Sequence, residues 1–274
     1  MIKNIIFSGG AFKGWAYIGT LRALNEYIDF NQIENVAGTS IGSLFGFFYV
    51  LQIPWEKLLE KIMNISHMEL LDVQIETIIS KQCIIKGHKF KKYIQDLIKD
   101  YVDPEITFIN FRKKSNIIFT ATCLNINKGV VEYFNYENTP DVKIIDALIA
   151  SCSVPLLFPI YQINNQYYCD GGLCNNFPTN LFDDLYSIGF DLFDENQLIG
   201  NQKVTLLDVL NCVINMANKN YKSDRMNCFN ILDYTFDNQT YNLKQTKDDI
   251  FNIYMNGYAN SKRVIFDNFI ALKN

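Results

Sequence analysis

Histidine is almost missing from this chain of 274 residues: His67 and His88 are the only two. Chemistry that relies on imidazole, as a base or as a metal ligand, has no candidate after position 88. The seven cysteines do not fill the gap. They stand at 83, 123, 152, 169, 174, 212 and 228, at irregular spacings, with no Cys-x-x-Cys pair and no zinc-type Cys/His pattern. Most of them read as small buried apolar side chains in a reducing compartment. Neither a metal nor another cofactor is implied.

Long apolar runs are also lacking. The longest stretches, 44–51 and 147–161, are respectively too short for a bilayer span and broken by Ser151, Ser153, Pro155 and Pro159. Residues 1–7 are too short for a signal-peptide core. The expectation is a cytoplasmic protein, soluble or peripheral at a membrane. An excess of positive charge is absent as well: 25 Lys and Arg stand against 29 Asp and Glu, a net charge of −4. That argues against a nucleic-acid partner, which calls for a basic footprint. No internal repeat and no Pro/Gly/Ser-rich linker interrupts the chain, so a single domain over 1–274 is expected. Oligomeric state is not readable.

What is present looks like an ordinary globular core, 49% hydrophobic and 20% charged. Residues 2–7 read as a buried strand, 14–27 as a helix, 34–37 as a short strand and 41–51 as an apolar helix. Pro54 opens another helix through 63, and 68–101 read as helices with a connecting loop. Strands are expected at 106–111, 116–123 and 129–136, then a helix at 141–152. A hairpin follows, 160–163 with 167–169, around Asn164-Asn165. A short helix near Pro178, a strand at 187–192, helices at 205–218 and 248–269 and a strand at 229–234 complete the chain. Alternating strands and helices point to an α/β domain with a mainly parallel, helix-covered sheet.

Three glycine-flanked segments carry the chemistry. Gly38-Thr39-Ser40-Ile41-Gly42 is a Gly-x-Ser-x-Gly elbow between a strand and a helix, which exposes a serine hydroxyl at the helix N-terminus. The plainer reading is a helix-capping serine. In α/β-hydrolases the elbow is followed by an acid and a late histidine, and here no such histidine exists. Ser8-Gly9-Gly10-Ala11-Phe12-Lys13-Gly14 lets successive backbone N–H groups point inward as an anion nest, suited to the oxyanion of acyl transfer. It satisfies neither the P-loop nor the dinucleotide pattern. Asp170-Gly171-Gly172 taken alone is a turn signal, yet its carboxylate can act as a general base if held against Ser40.

Taken together, Gly9-Gly10-Ala11-Phe12-Lys13-Gly14, Gly38-Thr39-Ser40-Ile41-Gly42 and Asp170-Gly171-Gly172 resemble the patatin-like phospholipase family. So do Ala150-Ser151-Cys152-Ser153-Val154-Pro155 through Phe158-Pro159, and the run from Asp170 to Asn175-Asn176-Phe177-Pro178. The resemblance covers about 3–188, with 189–274 read as completion of the fold. It implies a three-layer α/β/α architecture and hydrolysis of lipid acyl esters, of phospholipase A or lysophospholipase type, by a Ser–Asp dyad. Carried over, Ser40 is the nucleophile and Asp170 the base. The oxyanion loop is Gly9, Gly10, Ala11 and Phe12, with the amides of the last three as donors. Lys13, Gly14, Gly38, Gly42, Gly171 and Gly172 support these motifs.

Ala11 stands where the family has a third glycine, so donor geometry is expected to survive only if Ala11 keeps a negative φ. Acyl transfer to an alcohol, or an inactive lipid-binding module on the same fold, are the alternatives. His67 and His88 read as surface or structural residues, and Cys169 and Cys174 as core packing. The bases at 81, 86, 89, 91, 92 and 99, with Arg112, Lys113 and Lys114, read as a solvated face or as a landing patch for anionic lipid.

Overall fold

The computed structural model of the chain describes residues 2–65, 83–192, 212, 228–232 and 245–270. His67, Lys81, the first half of the helical region expected at 68–101 and all but position 212 of the helix expected at 205–218 lie outside them.

Strand β1 (Asn4–Phe7) is the four-residue run NIIF, buried at every position. Successive strand residues point to opposite faces, and both Ile5 and Ile6 are buried. The sheet is therefore covered on both sides, as a three-layer α/β/α fold requires, and β1 shows no polar alternation. Parallel to it run β2 (Asn35–Thr39) on one side and β7 (Ser187–Asp191) on the other; β8 (Cys228–Asn230) adds to β7. Beyond β2, β3 (Ile118–Asn125) is parallel too. β4 (Val130–Phe134), β5 (Tyr161–Ile163) and β6 (Gln166–Asp170) form the antiparallel end of the sheet. The hydrogen-bonded path is β5-β6-β3-β2-β1-β7-β8, with β4 paired to β3 beside it.

The register around β3 positions everything that follows. Ala121 and Thr122 pair with both β2 and β4, whereas Cys123, Leu124 and Asn125 pair with both β4 and β6. A strand residue has one neighbour on each side, so β2 and β6 share the same side of β3. β2 ends at Thr39, opposite Thr122, and β6 ends at Asp170, opposite Cys123. The two strands thus arrive from opposite directions and meet end to end.

The helices are α1 (Ala16–Tyr27), α2 (Ile41–Val50), α3 (Trp55–Met63), α4 (His88–Ile98), α5 (Phe108–Arg112), α6 (Ile144–Ser151) and α7 (Lys247–Ile265). All ten residues of α2 are buried against β1, β2 and β3, which explains its lack of charged residues. α6 packs beside it against β3 and β6. α7 starts with a capping box in which Thr246 and Asp249 each accept the other's backbone N–H, and it packs along α1. No helix among the described residues is long and apolar enough to cross a membrane.

Most expected elements appear within a few residues of their positions. The hairpin β5–β6 turns at Asn164 and Asn165, both at positive φ (48° and 62°), as a two-residue primed turn demands. The strand expected at 106–111 is a correction: it is helix α5. Thr107 caps it by accepting the Asn110 N–H, and Phe108 and Phe111, three apart, bury one face. Only an isolated bridge between Thr107 and Lys143 remains of strand pairing. The helix expected near Pro178 is a single 3-10 turn, Thr179–Leu181; of the strand expected at 229–234, residues 229 and 230 belong to β8, and 233 and 234 lie outside the described residues.

Candidate active site

Ser40 sits between β2 and α2 with φ 54° and ψ −129°, a region that holds few non-glycine residues and costs about 1–3 kcal/mol. The surroundings hold it there. Its N–H donates to Ser151 Oγ (2.8 Å), and Ser151 Oγ donates to the Thr122 carbonyl (2.7 Å). Its carbonyl accepts from the Ser43 hydroxyl at 2.7 Å and the Ser43 N–H at 2.9 Å. Gly42 is required by close approach: a Cβ there would run into the carbonyl oxygens of Phe7 and Ser8. At Gly38 a Cβ would strike the Gly42 carbonyl. Two glycines therefore let α2 begin directly against β1.

The end-to-end meeting of β2 and β6 brings the partner. Ser40 Oγ donates to Asp170 Oδ2 at 2.5 Å, a distance typical of a hydroxyl on a carboxylate. Asp170 Oδ1 accepts the Gly172 N–H at 2.7 Å, and the Asp170 N–H donates to the Ser153 carbonyl at 3.0 Å. Both side chains are buried, Asp170 at 4% exposure and Ser40 at 7%. Burial pushes the Asp170 carboxyl up to about 7, against the opposing pull of the Ser40 hydroxyl and the Gly172 amide. No cation forms an ion pair with Asp170 among the described residues.

The glycine loop lies against the Asp170 segment. The Gly9 N–H donates to the Asn176 carbonyl (3.0 Å) and Asn176 Nδ2 donates to the Gly9 carbonyl (3.1 Å). Gly9 therefore anchors the loop through its amide. The Gly10 and Ala11 amides donate to no carbonyl among the described residues. Gly10 has φ 178° and ψ 17°, and Ala11 through Trp15 form a 3-10 turn leading into α1. The condition placed on Ala11 is not met: its φ is +46°, so it occupies the left-handed region that a glycine would enter freely. The backbone keeps the glycine-like path because Gly9, clamped by Asn176, and Ser8 fix the loop's entry. The Ser8 hydroxyl accepts the Leu192 N–H at 2.9 Å, and the Tyr17 hydroxyl donates to the Ser8 carbonyl at 2.7 Å. Lys13 and Gly14 are buried behind the loop, and Gly171 and Gly172 form the turn after Asp170.

Ser151 and Asn176 are the residues to which sequence reasoning assigns no role. Each stands inside a motif block, but only tertiary contact shows that Ser151 holds the elbow and Asn176 the loop. A buried serine closing the apolar helix α6 is the one signal that could have drawn notice. His88 is exposed on α4 and contacts neither Ser40 nor Asp170 among the recorded hydrogen bonds. All seven cysteines are free thiols. Among the described residues no cluster of three or more His, Cys, Asp or Glu is placed to hold a metal ion.

A family model described as patatin-like phospholipase matches residues 5–183. The chain is 30% identical over 185 residues to a probable lipid hydrolase, 463L, of Invertebrate iridescent virus 6, covering 65% of this chain and 62% of that protein. It is 33% identical over 207 residues to a putative patatin-like phospholipase domain-containing protein, M110.7, of Caenorhabditis elegans, covering 72% of this chain but 18% of the nematode protein. The chain thus spans less than two thirds of either relative. Among solved structures, VipD of Legionella pneumophila superimposes with a TM-score of 0.59 at 15% identity, over 97% of this chain and 67% of that one; this likeness concerns the fold alone. With a matched segment of this length carrying the serine elbow, the glycine loop and the aspartate, the chain belongs to the patatin-like phospholipase family.

Proposed function

We propose that the chain hydrolyses fatty-acyl esters of lipids through a Ser40–Asp170 dyad and an acyl-enzyme. The observation that carries this reading is the 2.5 Å hydrogen bond from Ser40 Oγ to Asp170 Oδ2 in a buried setting. Asp170 takes the Ser40 proton as Oγ attacks the acyl carbonyl. The negative charge that develops on the carbonyl oxygen is met by the amides of Gly10, Ala11 and Phe12 and by the N-terminus of α2. Collapse expels the lysolipid or alcohol, which leaves with the proton held on Asp170. Water then gives a proton to Asp170 and its oxygen attacks the acyl-enzyme; the proton returns to Ser40 as the fatty acid departs. A carboxyl poised near 7 suits both directions of transfer at neutral pH.

The test compares wild type, Ser40→Ala and Asp170→Asn on a panel of phospholipids, lysophospholipids and neutral glycerides, resolving free fatty acid from lysolipid. Wild type is expected to release fatty acid, and each variant to lose at least about three orders of magnitude of that rate. Turnover retained in both purified variants would remove the dyad from the mechanism.

A further inference from the structure

The end of the sheet that carries Ser40 also carries an apolar rim. Because β6 continues the line of β2, the hairpin β5–β6 and the turn after β3 stand beyond the dyad. Asn125 is three residues past Thr122, which is the level of Thr39, so this turn begins roughly 10 Å further out. Five large apolar side chains are exposed there: Ile126 (44%), Val130 (47%), Leu156 (39%), Ile160 (43%) and Tyr167 (46%). They are joined through the backbone. The Ile126 N–H donates to the Tyr167 carbonyl at 2.8 Å, and the Tyr167 N–H to Asn127 Oδ1 at 2.6 Å. Val130 pairs with Asn125, and Ile160 directly precedes β5.

The loop bearing Leu156 and Ile160 is tied to the dyad, since the Ser153 carbonyl accepts the Asp170 N–H. Leu156 is held at φ +70°, a conformation that disfavours a leucine; the strained residue nonetheless presents a large apolar side chain to solvent. Alongside this loop lies a cationic segment. The Ile84 and Ile85 N–H groups donate to the carbonyls of Leu156 and Leu157, at 3.1 and 2.9 Å. The Phe90 ring packs on Phe158, 5.5 Å between centroids. Lys91 Nζ bonds Asp146 and the Tyr161 hydroxyl, fastening α4 to β5. Residues 83–92 contain four lysines, a histidine and no acid, in a chain whose net charge is −4.

We propose that this end of the molecule docks on an anionic lipid–water interface, with Leu156, Ile160, Ile126 and Tyr167 entering the headgroup boundary and Lys86 and Lys89 meeting lipid phosphates. The proposal rests on the lipid acyl hydrolase reading and names the partner of that site. The apolar contacts supply burial, and each base near an anionic leaflet contributes about fivefold in partitioning at moderate salt.

The test uses the full chain carrying Ser40→Ala, so that binding is read without hydrolysis, in sedimentation with vesicles of phosphatidylcholine alone or with 30% phosphatidylserine (a composition of roughly physiological anionic content). Binding is expected to be stronger on the phosphatidylserine vesicles and to weaken with salt. Leu156→Asn with Ile160→Ser is expected to lower it about tenfold or more, and Lys86→Gln with Lys89→Gln to lower it mainly at low salt. Asn tolerates the left-handed backbone at 156, so that variant keeps the loop, which circular dichroism checks. In parallel, Ile160→Trp is expected to shift its fluorescence to the blue on phosphatidylserine vesicles. Equal binding by the apolar double variant and its parent, absence of any charge or salt dependence, or an unshifted tryptophan each overturns the proposal. Failure of wild type to cleave a soluble short-chain ester, with vesicle binding intact, would instead strike the dyad reading and leave the docking surface standing.

Discussion

With Asp170 as the proposed base, its burial sets function against stability in a way that can be measured. Its carboxyl is pushed up to about 7, from an ordinary value of 3.8, chiefly by loss of water. Between those two pH values the folded chain holds a proton that the unfolded chain has released. Stability from this group is therefore present in full below about pH 4 and falls as pH rises, until it is lost above about pH 7. A separation of about three units at about 1.4 kcal/mol each makes the swing about 4 kcal/mol. Asn has the shape of Asp without the charge, so Asp170→Asn escapes the penalty. Urea unfolding of wild type and Asp170→Asn at pH 4, 6, 7 and 8 is expected to show near-equal stability at pH 4. By pH 8 the variant should be the more stable by up to about 4 kcal/mol. With Asp170 as the proposed base, the same titration is expected in the wild-type rate: kcat/KM should climb with pH to a plateau above about 7, and lie about 100-fold below it at pH 5. A stability difference that stays flat from pH 4 to pH 8, or an activity midpoint near 4, would refute the claim that desolvation dominates this site.

Three further perturbations probe the supports of the proposed dyad. Ser151→Ala leaves the Ser40 N–H without its acceptor inside the protein, at a cost of about 1–3 kcal/mol; fluorophosphonate labelling of Ser40 is expected to slow about tenfold while KM for a soluble ester holds, and unchanged labelling would show that the elbow is held elsewhere. Gly42→Ala drives a methyl group into the carbonyls of Phe7 and Ser8 and should lower the urea midpoint by at least about 2 kcal/mol of stability, an outcome that an unaltered midpoint contradicts. Ala11→Gly relieves a positive φ worth about 1 kcal/mol but loosens the unfolded chain by a similar amount. Thermal unfolding should therefore move little while esterase activity is kept or rises, and a loss beyond about 2 kcal/mol would contradict the left-handed assignment at Ala11.

Features built from neighbours in the chain were legible in the sequence. The elbow at Ser40, the loop at Ser8 to Gly14 and the hairpin at Asn164-Asn165 each need particular residues at particular backbone angles, and glycine, serine and asparagine announce such angles locally. The buried strand β1 and the apolar helix α2 followed from continuous hydrophobic runs. The failure at 106–111 has the same origin: a six-residue stretch with four large apolar residues fits strand or helix, and the cap by Thr107 with burial of Phe108 and Phe111 decided for helix. The sign of φ at Ala11 was illegible for a different reason. It is imposed by Ser8 and by Asn176 on a segment far along the chain.

Sequence alone determined that a serine elbow, a glycine-rich loop and an Asp-Gly-Gly turn lie in one chain with no histidine beyond position 88, and that strands and helices alternate around a mainly parallel sheet. Those are properties of composition, spacing and local backbone chemistry. Only the tertiary structure decided that Ser40 and Asp170, 130 residues apart, share a hydrogen bond. β3 is longer than β2, so β2 and β6 share one of its sides and their ends meet there. Tertiary structure likewise decided that Asp170 is dry enough to titrate near neutrality, because desolvation depends on everything packed around a group rather than on what stands beside it in the chain.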